Sequence, residues 1–134
     1  ADSVVVLRPN KISKKDILLA LIKGFENFGK PYDYDFDFDT RDTLVCSELI
    51  YDAYFEKLPE KNGIYFESSL ISGRKMVSPI NMAEKFINEY GSEDPELSFV
   101  YFLRSNESKG IAEISDEKEF LNSINYSKFS FLNN

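Results

Sequence analysis

Residue types that often decide chemistry are scarce in this sequence of 134 residues: histidine and tryptophan are absent, and Cys46 is the single cysteine. One cysteine excludes a disulfide within the chain and leaves the redox compartment undecided. A thiol nucleophile normally uses an imidazole as its base. The chain therefore offers a candidate nucleophile without the usual partner.

Positive charge is also in short supply. Lys and Arg number 16 against 23 Asp and Glu, so the formal net charge is −7 and the pI is about 4.7. A nucleic-acid-binding domain is expected to carry a clustered basic face, and anionic membrane surfaces attract basic segments. The charge balance argues against both kinds of partner.

Long apolar runs are missing as well. A helix that spans a bilayer needs about 20 consecutive apolar residues, and no run in the sequence approaches that length. The residues from Ala1 to Val4 lack the basic and apolar regions of a signal peptide. The sequence predicts no transmembrane segment, and it leaves open that the chain is a processed or truncated product.

Hydrophobic and aromatic side chains, by contrast, are plentiful. The chain is 43% hydrophobic and contains 12 Phe and 8 Tyr. A chain of this length can bury one sizeable core and hardly two. We therefore predict a single domain over residues 1–134 with an aromatic-rich core.

Local start and stop signals predict four helices. Capping residues, apolar stripes at steps of three and four residues, and glycine or proline at the ends define them. The first helix starts at a capping box of Ser13 and Asp16 and stops at Gly29 and Pro31. The second is capped by Asp42 or Thr43 and stops before Pro59. The third starts at Ser78 and Pro79 and stops at Gly91, and a short fourth helix follows Ser115.

Short apolar, β-prone runs predict strands at residues 4–7, 97–103 and 111–114, with a further one at 64–66. The run at 97–103 is too short for a typical helix and mostly apolar, so we expect it to be a central strand. Residues 67–77 show no regular pattern, and an irregular connection is predicted there.

Aromatic and acidic residues alternate between residues 32 and 39. An extended backbone would place the aromatic rings on one face and the carboxylates of Asp33, Asp35, Asp37 and Asp39 on the other. The first three have the spacing that begins a calcium loop, but Phe38 and Leu44 stand where such a loop needs glycine and glutamate. A strand edge with a solvated acidic face is the interpretation we favour over calcium binding.

Cys46 is predicted to lie in the first turn of the second helix. The backbone amides and the helix dipole there stabilise a thiolate, whereas the neighbouring carboxylates of Asp42 and Glu48 oppose it. A lone cysteine is also often a small buried hydrophobe, and Cys46 shares a helical face with Leu49 and Ile50. From the local sequence both a nucleophile and a buried thiol remain open.

The segments around Cys46 resemble a known family. A turn of sequence Gly29-Lys30-Pro31-Tyr32-Asp33 precedes a helix start of sequence Cys46-Ser47-Glu48-Leu49-Ile50, which is followed by Tyr54. This combination is similar to the permuted papain-like amidases of the YiiX type, a circularly permuted branch of the NlpC-like cysteine hydrolases. The strand at residues 4–9 and the helix start at residues 77–79 are similar too, so the resemblance covers most of the chain.

The resemblance implies an α+β fold of the papain-like, permuted NlpC type, with helices packed on an antiparallel sheet that needs upstream strands to close its core. It implies hydrolysis of an amide through an acyl-enzyme on Cys46, whose backbone amide contributes to the oxyanion hole. The residues placed at the substrate would be Tyr32, Asp33, Ser47, Glu48 and Tyr54. Neither a metal nor an organic cofactor is needed.

The implied substrates are cell-wall peptides or other amides, with lipid acyl groups as an alternative, and a periplasmic or cell-envelope location would fit them. Two of the substrate-site residues also have a structural interpretation. Glu48 can simply favour the first turn of its helix, which is the role we prefer, and Tyr54 can be a core residue.

The base is where the sequence departs from the family. In such proteins a histidine and its orienting residue precede the cysteine, and no residue here matches either. We expect the histidine in a segment upstream of Ala1 or in a companion chain, so that this chain alone is inactive. A non-catalytic relative that keeps the fold for binding, and a coincidental similarity, are the alternatives.

Overall fold

The computed structural model describes residues 3–38, 40–55, 63–71 and 73–131. Within these ranges the chain is α+β, as predicted, with strands that pair in antiparallel fashion. The elements are β1 (Ser3–Pro9), α1 (Lys14–Glu26), α2 (Cys46–Phe55), β2 (Ser69–Ile71), β3 (Arg74–Met76), α3 (Pro79–Glu89), β4 (Leu97–Asn106), β5 (Ile111–Ser115) and α4 (Glu117–Phe131).

The chain divides into two compact units. We call residues 1–10 with 86–134 the sheet unit, and residues 11–85 the thiol unit because it contains Cys46. The expectation of a single domain stays a prediction, since one domain can contain two such units.

The sheet unit is built on a three-stranded antiparallel sheet in the order β1-β4-β5. The central position predicted for residues 97–103 is confirmed, because β4 pairs with both other strands. Val5 of β1 lies opposite Phe102 of β4, and the register shifts between Val6 and Leu7. The predicted strands at residues 4–7 and 111–114 are confirmed as β1 and β5.

Aromatic rings form the core of the sheet unit, as the composition predicted. The ring of Phe120 on α4 is 2% exposed. Its centroid lies 5.5 Å from that of Phe102, 5.7 Å from that of Phe86 and 6.2 Å from that of Phe99. Helix α4 spans 15 residues, so the short helix predicted there is wrong in length.

Helix α1 of the thiol unit begins at the predicted capping box. The Ser13 hydroxyl accepts the Asp16 amide at 3.2 Å, and the Asp16 carboxylate accepts the Ser13 amide at 2.9 Å. The apolar stripe of α1 is present as predicted, but it faces outward. Its exposed members are Ile17, Leu18, Leu21, Ile22, Phe25 and, just past the helix, Phe28, which is 89% exposed.

The acidic and aromatic alternation at residues 32–38 does not form a strand, so that prediction is wrong. Its single ladder contact is a parallel bridge between Tyr32 and Leu44. The Asp33 carboxylate accepts the backbone amides of Asp35 at 2.8 Å and Asp37 at 2.6 Å, which folds the segment into a loop. Asp39 lies outside the described residues.

The connection between α2 and α3 differs from the prediction in two ways. Residues 64–66 form no strand; instead the side chains of Ile64 and Phe66 are buried while the Ile64 amide donates to the Tyr54 carbonyl at 2.8 Å. Residues 67–77 contain the hairpin β2–β3, in which Leu70 lies opposite Lys75. Gly73 in its turn has φ +81°, a conformation that glycine adopts without strain.

Helix α3 begins as predicted, with Ser78 as the cap and Pro79 as the first residue. The Asn81 side chain accepts the Ser78 amide at 2.9 Å, and the Ser78 hydroxyl accepts the Asn81 amide at 3.3 Å. This reciprocal pair fixes where the chain leaves the hairpin and enters the helix.

Candidate active site

Helix α2 begins at Cys46, which confirms the predicted position of the thiol in a first turn. The predicted caps at Asp42 and Thr43 are wrong, because both residues precede the helix by more than one position. The Glu48 carboxylate instead accepts the Val45 amide at 3.3 Å, inside a buried environment. Glu48 of the Cys46-Ser47-Glu48 motif therefore caps the start of its own helix by binding the Val45 amide.

The side chain of Cys46 is exposed. The interpretation as a buried thiol is therefore wrong, although Cys46 shares a helical face with Leu49 and Ile50 as expected. The residues on either side of it in sequence, Val45 and Ser47, take the buried positions. The thiol is left accessible at the point where two cavities of the thiol unit meet.

The first cavity, which we call the apolar groove, runs between α1 and α2 with a volume of about 590 Å³. It has the α2 face that the sequence predicted, with Leu49, Ile50, Ala53 and Tyr54 in line with Cys46. The opposite side is formed by the exposed stripe of α1, including Leu21, Phe25 and Phe28. Tyr54 thus lines the groove, and its place near a substrate stays a prediction.

The second cavity, which we call the arginine cavity, has a volume of about 630 Å³ and also reaches Cys46. Its lining comes from the loop before α2, the start of α2, the hairpin and the start of α3. The lining residues are Tyr32, Asp35, Phe36, Val45, Cys46, Ser47, Arg74, Met76, Ser78 and Pro79.

Backbone hydrogen bonds bring the two halves of the family-like motif together. The Asp33 amide donates to the Leu44 carbonyl at 3.0 Å, and the Leu44 amide donates to the Pro31 carbonyl at 3.1 Å. Tyr32, which lies between these bonds, lines both cavities beside Cys46. Its ring centroid lies 5.1 Å from that of Tyr34 and 6.2 Å from that of Phe36.

Asp33 lies near this site without lining either cavity. Its carboxylate is buried and is used by the amides of Asp35 and Asp37. Among the described residues, no three of the types that bind metals approach one another closely enough to hold an ion. Where it is described, the acidic segment thus gives the calcium alternative no support.

Glu48 is buried and faces away from the two cavities that contain Cys46. Burial raises the pKa of the Glu48 carboxyl above its ordinary value of 4.5, and the neighbouring carboxylates of Asp52 and Asp33 raise it further. The Val45 amide and Lys30 act in the opposite direction. The observed contacts of Glu48 are those of a helix-start residue.

The cavities supply groups that bind and orient a ligand, but no imidazole. Among the described lining residues, Asp35 is the single carboxylate. By itself the site offers a ligand the Cys46 thiol, the free backbone amides of a helix start and the polar side chains of Ser47, Tyr32 and Arg74.

Arg74 and Phe36 were missed by the sequence reasoning, as were the α1 residues of the apolar groove. Arg74 reaches the site through the β2–β3 hairpin. The Ser72-Gly73 dipeptide between β-prone residues is a hairpin signal that could have located it. Phe36 has a left-handed backbone conformation, with φ 54°, which no sequence pattern indicated.

None of the described helices is of a length and apolarity that would let it cross a bilayer. Comparison of the chain with protein-family models, curated proteins and solved structures finds no match. The resemblance to permuted papain-like amidases therefore stays a prediction that rests on the motifs quoted above.

Proposed function

We propose that this chain carries the nucleophile of a thiol-dependent amide hydrolase that acts through an acyl-enzyme on Cys46. The observation that supports the proposal is the exposed thiol in the first turn of α2, at the junction of two cavities. A thiol that only filled space would be expected inside the core.

The proposed reaction has two stages. The Cys46 thiolate attacks the carbonyl carbon, backbone amides at the start of α2 bind the oxyanion, and the amine leaves with a proton. Water then hydrolyses the thioester and regenerates the thiol. The proton is moved in both stages by an imidazole that lies outside these 134 residues, in an upstream segment or a companion chain.

The proposed fold is the cysteine-bearing part of a permuted papain-like domain. Support comes from the placement of the motif halves side by side and from the outward apolar stripe of α1, which further strands of the domain would cover. Monomeric soluble proteins rarely leave a contiguous stripe of that kind bare.

The test uses the full-length protein with an activated ester such as p-nitrophenyl acetate. We expect a burst of p-nitrophenol and an acetyl thioester on the peptide that contains Cys46, detected by mass spectrometry. Cys46→Ser should lose the burst and the adduct. Ser13→Ala, at the far end of α1, should retain both. A burst of equal size in Cys46→Ser would reject the proposal.

A second candidate is a non-catalytic binding module. The absence of histidine and the apolar lining of the groove favour it. It predicts that an apolar ligand binds the groove and that the full-length protein forms no acyl adduct on Cys46. A histidine encoded upstream of Ala1, required for the burst, would instead favour the hydrolase.

A further inference from the structure

The starts of helices α2 and α3, both within the thiol unit, line the arginine cavity. Cys46 and Ser47 of α2, a helix of 10 residues, line it, and so do Ser78 and Pro79 at the start of α3, a helix of 11 residues. The amino-terminal end of a helix carries partial positive charge and amides without partners inside the helix. The electrostatic field of both helix starts thus favours an anion in this cavity.

The start of α2 still has donors to offer. The amide of Val45 is taken by the Glu48 carboxylate. The amides of Cys46 and Ser47, in the first turn, have no acceptor within their own helix. At the start of α3 the corresponding donors are mostly spent, because Pro79 has no amide hydrogen and the Asn81 amide donates to Ser78. The hydrogen-bonding end of the cavity is therefore α2.

The Ser47 side chain is the second, independent sign of a ligand. Ser47 is 4% exposed and lines the cavity, and its hydroxyl has no hydrogen-bond partner among the described residues. None of the described buried polar atoms is both fully enclosed and unpartnered, so the free hydroxyl keeps some accessible surface, and the cavity that Ser47 lines is the space beside it. A hydroxyl in that position gains a hydrogen bond when an acceptor enters.

Arg74 brings a full positive charge to the same space. Strand β3 directs Arg74 and Met76 into the cavity, and a guanidinium nitrogen of Arg74 donates to the backbone carbonyl of Asp35. That contact orients the guanidinium while its other N–H groups stay available for an oxyanion. Lys75, between them on the strand, does not line the cavity.

Asp35 limits the charge that the cavity can hold. It lines the cavity together with Arg74, so the formal charges of the lining cancel. The remaining attraction comes from helix starts and hydroxyl dipoles, which suits a singly charged carboxylate better than a doubly charged phosphate.

We propose that the arginine cavity binds a carboxylate group of the substrate, held by the Ser47 side chain and Arg74, beside the carbonyl that Cys46 attacks. The Cys46 amide is left for the oxyanion that forms on that carbonyl. That this carboxylate belongs to a substrate rests on the proposed function. The binding of an anion in the cavity does not depend on that function. The proposal assigns the substrate class as an amide that carries a carboxylate close to the bond that is cleaved.

The test compares two alkylating reagents on the intact protein. Iodoacetate carries a carboxylate and iodoacetamide does not. The same Cys46 thiolate attacks the methylene carbon of either reagent and displaces iodide, so the ratio of the two rates is independent of how much thiolate is present. We expect the iodoacetate to iodoacetamide ratio at Cys46 to be about tenfold higher in the native protein than in the urea-unfolded one. Mass spectrometry of the Cys46 peptide gives both rates.

Variants identify the donors. Arg74→Gln and Ser47→Ala should each lower the ratio severalfold, whereas Lys75→Gln removes a charge from the same hairpin and should leave the ratio unchanged. A ratio that is the same in the native and unfolded protein, or that falls equally in Lys75→Gln, overturns the proposal. If the parent protein shows no acyl-enzyme burst but keeps the raised iodoacetate to iodoacetamide ratio, the hydrolase is rejected and the anion site stands.

A second measurement does not need a reactive thiol. Titration of the 15N-labelled protein with acetate should move the amide resonances of Cys46 and Ser47 to a plateau, and Arg74→Gln should abolish the saturable part. Shifts that stay linear in acetate, as for an ion in bulk solution, overturn the anion site even if Cys46 reacts with neither reagent.

Discussion

The carboxylate of Asp33 organises the loop that leads to Cys46. It is buried and accepts two backbone amides, from Asp35 and Asp37. Because hydrogen bonds to a charged acceptor are stronger than neutral ones, these two bonds matter more to stability than their number indicates. The same loop carries Tyr32 and Asp35 to the arginine cavity.

We predict that Asp33→Ala lowers the free energy of unfolding by about 2 kcal/mol, because it removes two hydrogen bonds to a charged acceptor while the freed amides regain bonds to water. Asp33→Asn keeps one acceptor oxygen and should lose less. Asp42→Ala removes an exposed carboxylate and should change stability by less than about 0.5 kcal/mol. Urea unfolding of the three variants measures this, and equal losses for Asp33→Ala and Asp42→Ala would contradict it.

Glu48 makes stability depend on pH with a defined sign. Burial raises the pKa of its carboxyl in the folded chain above the ordinary 4.5. The folded state therefore holds this proton more tightly than the unfolded state. Between 4.5 and the raised value the free energy of unfolding falls as pH increases, and it stays lower above that window.

Glu48→Gln keeps an oxygen for the Val45 amide and removes the charge. We predict that the stability of Glu48→Gln relative to the parent chain increases with pH from about 4.5 upward and then levels off. Glu113→Gln is a control of opposite sign, because hydrogen bonds from Lys109 and Asn106 lower the pKa of Glu113. Urea unfolding from pH 4 to 7 tests Glu48→Gln, and urea unfolding below pH 4.5 tests Glu113→Gln. A pH-independent difference for Glu48→Gln counts against the account.

At the scale of elements, helices α1 and α4 place their phenylalanines in opposite environments. Phe120 on α4 is 2% exposed and touches three other rings of the sheet unit, whereas Phe25 on α1 is 75% exposed. Both sit in stripes with the same helical spacing, so their sequence patterns look alike. The two stripes differ in whether other side chains of the described residues pack against them.

We expect Phe120→Ala to cost about 3–5 kcal/mol of stability, since the ring leaves a cavity in a packed core. Phe25→Ala should cost less than about 0.5 kcal/mol in this chain, because its ring is already in water. Thermal and urea unfolding compare the two variants. A large loss for Phe25→Ala would show that the α1 stripe is covered in solution.

At the scale of the whole molecule, the features predicted correctly are those fixed by neighbours in sequence. The capping box of Ser13 with Asp16, the Ser78-Pro79 start and the apolar run of β4 each carry their signal within a few residues. The position of Cys46 in a first turn and the helix face that it shares were predicted for the same reason.

The features that were missed depend on contacts between distant parts of the chain. The alternation at residues 32–38 satisfies the rule for a strand, but the buried Asp33 carboxylate competes with strand pairing for the same amides. Arg74 lines the same cavity as Cys46 only because the hairpin folds beside the start of α2. A strand of three residues has little periodicity to reveal this.

The central position of β4 has a consequence for solubility. Among the described residues the sheet ends at β1 on one side and at β5 on the other, so each outer strand presents unpaired backbone groups that another chain could join. On β5, Ile114 is 81% exposed, which adds an apolar side chain to that edge. Its neighbour Glu113 is hydrogen-bonded by Lys109 and Asn106, and its lowered pKa keeps the carboxylate charged into acidic solution. A strand that joined this edge would have to desolvate the Glu113 and Lys109 charges, which disfavours strand-to-strand aggregation there.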